Sequence, residues 1–218
     1  MEKRFFMLDK FHTWYDWRCT VTAKSVQDAE PKTNYVALDG AHGSIDLSEA
    51  LTGEPVYSDR TVTASFMCSE GSHKEREALL RQIRTALHGR KVRIIEPDDS
   101  EHYFMGRVKI TEAVNGLAFL TFSIEATCDP WRYAINETHR AVDVDGDTVS
   151  AVIRNAGDKT LSPTLSVTGS VSVAFGSIRV DLTAGDYTVK DLRLRQGVNV
   201  VNVSGRGSVV FTYREASL

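Results

Sequence analysis

Between residues 117 and 127 the side chains change character at every step: Phe119, Thr121, Ser123 and Glu125 alternate with Leu120, Phe122, Ile124 and Ala126. Only an extended chain sends alternate residues to opposite faces, so this stretch must be a strand with one face in a core. Phe119 falls in the polar set, which implies that the second face is not simply wet. Runs rich in Val and Thr recur at 17–26, 35–38, 61–68, 92–96 and 103–111. A chain of this grammar builds sheets.

One segment obeys a different period. Ser72 followed by Glu75 matches a capping box, in which each side chain satisfies a free backbone N–H of a first helical turn. Leu79, Ile83 and Leu87 then recur every four residues, widened by Leu80 and Ala86 into an apolar stripe. Arg76, Arg81 and Arg84 take the other faces, and Gly89 suits a left-handed cap. A helix is predicted at 73–88, its stripe packed on the sheet.

After Asp129-Pro130-Trp131-Arg132 the pattern changes. Short runs at 149–154, 165–167, 171–175, 177–182, 187–189, 199–203 and 208–213 are separated by Gly, Asp and Asn. Turn signals every 8–12 residues or so are the mark of a small antiparallel sandwich or jelly roll, of the galectin or carbohydrate-binding-module kind. The expected organisation is therefore mainly β: a β-sandwich-like domain with one α-helix at 1–132, then a small all-β domain at 133–218.

Charge narrows the function classes. The chain carries 26 Lys and Arg against 29 Asp and Glu, divided 17 to 20 up to Arg132 and 9 to 9 beyond it. Neither half offers a basic groove, so sequence recognition of nucleic acid is not expected. No run approaches the roughly 20 apolar residues that cross a bilayer. At the N-terminus Asp9, Lys10 and His12 interrupt any signal-peptide core, so membrane insertion and export are not expected either. Cys19, Cys68 and Cys128 lie far apart without C-x-x-C spacing, which reads as buried free thiols in a reducing cytoplasm and argues against zinc.

A search for catalytic chemistry finds fragments. His42 and Ser44 in Asp39-Gly40-Ala41-His42-Gly43-Ser44-Ile45-Asp46 are triad residue types, but they sit too close in sequence for relay geometry and lack a nucleophile elbow. Asp143, Asp145 and Asp147 resemble the start of a calcium loop, but Thr148 replaces the required Gly and Arg154 the bidentate Glu, leaving an Asp-Gly hairpin turn as the reading. The acidic stretch Glu96-Pro97-Asp98-Asp99-Ser100-Glu101-His102 reads as a solvated hairpin tip. His12, His73, His88 and His139 show no metal-binding spacing. No catalytic residue, cofactor or metal site is expected.

Several segments, taken in order, resemble siphophage distal tail (Dit) proteins. They are Tyr35-Val36; Asp39-Gly40-x-x-Gly43-Ser44-Ile45-Asp46-Leu47-Ser48-Glu49-Ala50-Leu51-Thr52-Gly53; Pro55-Val56-Tyr57-x-Asp59-Arg60; Leu87-His88-Gly89-Arg90-Lys91-Val92; Asp98-Asp99; and Tyr103-x-x-Gly106-Arg107. Cys128-Asp129-Pro130-Trp131-Arg132-Tyr133 resembles that family's junction between domains. Gly197-Val198-Asn199-Val200-Val201-Asn202-Val203-Ser204-Gly205 with Phe211-Thr212-Tyr213-Arg214 resembles its C-terminal domain. The resemblance implies a virion structural protein of a phage or prophage, a baseplate hub in the tail tip, assembled in the bacterial host cytoplasm. It implies a homo-hexameric ring joining the tail tube to tape-measure, tail-tip and receptor-binding proteins, with no active site to carry over. A carbohydrate-binding or adhesion module is the competing reading, weakened by a C-terminal half whose candidate aromatics are Phe175, Tyr187, Phe211 and Tyr213, most of which alternate like core residues.

A closed ring needs a heterologous interface. Trp14, Tyr15 and Trp17 form an aromatic cluster suited either to filling a core or to anchoring such an interface. The long stretch from Val26 to Tyr57 reads as an arm, with residues around Ile45, Leu47 and Leu51 packing on an adjacent protomer. The candidate interface residues are thus Trp14, Tyr15, Ile45, Leu47, Leu51 and Phe119.

Overall fold

The computed structural model describes residues 5–40 and 42–218. Met1–Arg4 and Ala41, which figured in the readings of the N-terminus and of the arm, lie outside them. The chain is mainly β and forms two compact units, Met1–Arg132 and Tyr133–Leu218.

In the first unit β1 (Met7–Leu8), β2 (Phe11–His12) and β3 (Cys19–Val26) precede a small hairpin of β4 (Tyr35–Ala37) and β5 (Ser44–Asp46). Then come β6 (Arg60–Cys68), α1 (His73–Leu87), β7 (Lys91–Glu96), β8 (Asp99–Asn115) and β9 (Leu120–Ala134), whose last two residues belong to the second unit. The main sheet runs in the order β2-β1-β7-β8-β9-β6-β3. It is curled. Lys24 on β3 forms ion pairs with Glu96 and Asp98 at the β7–β8 turn, although three strands lie between β3 and β7 in the sheet.

The alternation at 120–126 is realised: Leu120, Phe122, Ile124 and Ala126 are all buried, and Phe122 stacks on Phe66 of β6 at 5.0 Å between ring centroids. Phe6 meets Phe66 edge-on at 5.8 Å. α1 starts with both bonds of the capping box in place, and Leu80, Ile83 and Leu87 enter this core. Arg76 corrects the sequence reading. It is buried, because its guanidinium donates to the carbonyls of Gly71 (2.6 Å), Gly116 (3.0 Å) and Leu117 (2.8 Å) and to Asn115 Oδ1 (3.2 Å).

The cysteines provide a second correction. Cys19 and Cys68 are register partners on β3 and β6 and are joined by a disulfide; only Cys128 is a free, buried thiol. Linear spacing cannot show that two cysteines 49 residues apart face each other across a ladder.

The second unit contains β10 (Thr138–Asp145), β11 (Val149–Asn155), β12 (Thr164–Phe175), β13 (Ile178–Thr188), β14 (Gly197–Tyr213) and β15 (Ala216–Ser217). Here the Asp-Gly hairpin expected at Asp145-Gly146 is absent. β10 pairs with Arg206–Tyr213 of β14 and β11 with Gly197–Val203 of the same strand, both antiparallel, so β10 and β11 run in one direction with a corner between them. Gly146 takes a left-handed φ of 95° at that corner and donates its N–H to Gly205 O at 2.8 Å. The separate runs foreseen at 165–167 and 171–175, and at 199–203 and 208–213, are likewise single bent strands, β12 and β14.

Glycines make the bend possible. A Cβ on Gly207 would lie 1.9 Å from Thr168 O, and one on Gly205 would lie 2.4 Å from Ser170 O. Across the bend the inward residues keep one parity. Val201, Val203, Val209 and Phe211 from β14, with Leu165, Val167, Val171 and Val173 from β12, share one core. Tyr213 donates its hydroxyl to Arg154 O at 2.6 Å and closes the folded sheet.

Candidate self-association surface

The first unit carries its exposed apolar side chains on three projections. The largest is the arm between β3 and β6. Pro31 bridges Tyr57, Lys32 N–H donates to Val56 O at 2.7 Å, and Ser58 N–H to Glu30 O at 2.8 Å, so two chains leave the sheet together as a narrow ribbon. At its foot Tyr57 meets the Trp131 ring edge-on at 5.6 Å. Farther out β4 and β5 pair Tyr35 with Asp46 and Val36 with Ile45. Asp46 accepts from the Ser48 hydroxyl and N–H, bonds that hold its carboxyl below the usual range and fix the turn after β5. Ile45 and Leu47 are exposed, as are Tyr35, Val36 and Leu38, and Leu51 is 100% exposed. An ordered ribbon with this much unburied apolar surface is suited to lie against another chain.

The second projection is the β8–β9 turn. Leu117 is 100% exposed and Phe119 and Val114 are exposed beside it, while Arg76 clamps the turn's backbone to the start of α1. The third is the turn after β2. His12 Nδ1 accepts from the N–H groups of Trp14 (3.2 Å) and Tyr15 (3.1 Å), so the imidazole holds the turn in its neutral form. Burial lowers its pKa, against the attraction of Asp16. Trp17 goes into the core, Trp14 is half-buried under the Arg18 guanidinium, and Tyr15 remains 71% exposed.

The six candidates therefore distribute as one on the β8–β9 turn, two on the N-terminal turn and three on the arm. Tyr35, Val36, Leu38, Val114 and Leu117 join them, and sequence reasoning passed them over as strand or turn residues. Ile45 next to Asp46, and Val36 beside Tyr35, were the available signal: apolar residues in segments too short to make a core of their own.

The fragments of chemistry do not converge. His42 and Ser44 are exposed on the arm. The acidic stretch at 96–102 is a hairpin tip, with Glu96 opposite Asp99, but it is less solvated than expected: Lys24 pairs with both Glu96 and Asp98, and Glu96 is buried. Asp99 lies 2.9 Å from His102 Nδ1 and 3.1 Å from Arg132. Burial pushes the Asp99 carboxyl up, but these partners and the Glu101 N–H outweigh it, so it sits below its ordinary value. Among the described residues no group of three His, Cys, Asp or Glu could hold a metal ion, and no helix is long and apolar enough to cross a membrane. In the second unit Phe211 and Tyr213 are buried and Phe175 and Tyr187 half-buried.

The whole chain, curled sheet with one helix followed by an all-β unit, has a counterpart of the same fold among solved structures. The crystal structure of the SPP1 Dit (gp 19.1) protein, described as a paradigm of the hub adsorption apparatus in Gram-positive-infecting phages, matches with a TM-score of 0.72 over 98% of this chain and 99% of that one. Sequence identity is 15%, so the likeness is one of fold. No protein-family model matches the chain, and no curated protein sequence does.

Proposed function

We propose that this protein is a structural, non-enzymatic tail-tip hub of a long-tailed phage or prophage, acting as a homo-hexameric ring between the tail tube and tail-tip or receptor-binding components. The observation that carries this reading is the end-to-end match of both units, in order, to the SPP1 Dit fold. Residues 1–132 form the ring. The arm supports the assignment: a stable interface buries more than about 1,000 Å², and the ribbon at 30–58 offers apolar area and strand edges that its own unit leaves uncovered.

Ile45, Leu47 and Leu51 then lie on the adjacent protomer, with Trp14, Tyr15 and Phe119 completing the contact. Tape-measure and tail-tube proteins are the partners along the ring axis. Assembly takes place in the host cytoplasm.

Light scattering and negative-stain imaging of the purified chain test the reading. Six subunit masses and a ring with a central hole are expected. Deleting Ala41–Thr52 should leave monomers. A compact monomer at high concentration overturns the hub assignment, and an intact ring after the deletion overturns the arm's role in it.

A further inference from the structure

Arg60, the first residue of β6, is 3% exposed, and its Nε has no hydrogen-bond partner. It enters no ion pair among the described residues. Its guanidinium lies 5.4 Å from the centroid of the Phe104 ring, and the Arg132 guanidinium lies at the same distance from that ring. Arg132 also has a buried Nε without a partner, although its Nη1 reaches Asp99 Oδ2 at 3.1 Å. Two guanidinium groups thus share one aromatic ring, and among the described residues the carboxylate paired with either of them is Asp99, which His102 also engages.

The neighbours do not supply the missing charge. Across the β6–β9 ladder Arg60 faces Cys128, whose thiol burial pushes up to about 12, so it is neutral. Asp28 attracts Arg60 but is exposed and too far off for an ion pair. Burial and the Arg132 charge instead pull the Arg60 pKa down. Buried charges in folded proteins are paired or hydrogen-bonded, and stacking on a ring recovers only part of the lost hydration. A guanidinium presents a planar fork of donors whose geometry matches a carboxylate or phosphate.

We propose that Arg60 and Arg132 form an oxyanion site, filled by a phosphate or carboxylate group from outside the chain. Arg132, with 32% of its side chain exposed, is the route of approach, and Arg60 is the fixed inner donor. The anion comes either from solution, as a free phosphate, or from a carboxylate on a second copy of the chain. Both use the same fork.

Calorimetric titration of the full chain with inorganic phosphate at constant ionic strength, with chloride as control, tests the site. The free-anion source gives saturable binding of one phosphate per chain and a melting temperature raised by a few degrees. Arg60→Met should abolish both, without melting below the wild type in the absence of phosphate, since no ion pair is lost and the Met side chain still packs on the Phe104 ring. Arg60→Lys, which keeps the charge and loses the fork, should bind at least tenfold more weakly. If a second copy supplies the carboxylate, phosphate has no effect, and Arg60→Met weakens self-association at least tenfold by sedimentation. The proposal is overturned if neither phosphate binding nor self-association responds to Arg60→Met, or if that variant melts several degrees lower without ligand. Phosphate binding by a chain that stays monomeric would uphold the site while removing the ring.

Discussion

The two units bend their sheets by different means. In the first, the curl is held by a side chain reaching across it, Lys24 to Glu96 and Asp98, and the Cys19–Cys68 disulfide ties the two neighbouring strands β3 and β6. In the second, the backbone itself turns the corner, at Gly146 between β10 and β11 and at Gly205 and Gly207 on β14, and at the latter two no side chain fits. A side-chain clasp can be loosened by degrees. A backbone corner has no intermediate setting, so it should fail as a whole.

That contrast can be broken at the corner first. Gly207→Ala places a methyl against Thr168 O and should cost more than about 4 kcal/mol, unfolding the second unit. Trp14, Trp17 and Trp131 all lie in the first unit. Tryptophan fluorescence should therefore keep its wild-type transition while the far-UV circular dichroism loses amplitude; loss of both signals together would mean that the units are not independent.

Removing the disulfide comes next. Cys19→Ala with Cys68→Ala should destabilise the first unit by about 2–4 kcal/mol in urea, through freedom restored to the unfolded chain. Lys24→Met should cost less, about 2 kcal/mol, since it leaves a buried Glu96 without its partner. The clasp has a pH signature as well. Burial alone would lower the Lys24 pKa, but Asp98 and Glu96 together raise it. Its contribution is therefore complete below the unfolded value near 10.4 and disappears as pH rises through the higher folded value. Urea midpoints at pH 8 and pH 11 should differ more for the wild type than for Lys24→Met. The smallest effect belongs to Gly146→Ala, where nothing lies within 4 Å of the added Cβ and only the left-handed φ is penalised, at about 1 kcal/mol.

Legibility in the sequence follows the same division. Features set by neighbours two to four residues apart could be read directly: the Ser72–Glu75 box, the Leu79-Ile83-Leu87 stripe widened by Leu80, and the alternation from Leu120 to Ala126. Features set by a distant partner could not. Nothing near Cys19 announces Cys68, and nothing near Arg76 announces that the carbonyls of Gly116 and Leu117 will draw it inward. Asp145-Gly146 illustrates the limit well: the dipeptide encodes a change of direction, but β14 decides whether the chain doubles back or carries on along the same edge. The glycines of β12 and β14 were read as strand breaks because a lone Gly marks a turn and a fold in a continuous strand alike. Of the candidate surface, the arm was legible as a stretch too long and too poorly patterned to be its own core, whereas the β8–β9 turn was represented by Phe119 alone.

The position of the Cys19–Cys68 bridge has a mechanical consequence. β3 and β6 form one antiparallel pair with the arm as its distal loop, Val26 opposite Val62 near the arm and Cys19 opposite Cys68 at the far end. Tension on the arm's tip would peel this pair apart one rung at a time, beginning at Val26, until it met a covalent link. The arm is thus part of a sealed loop of chain, a rip-stop stitched at the root, and no pull short of bond rupture can draw its strands past that stitch.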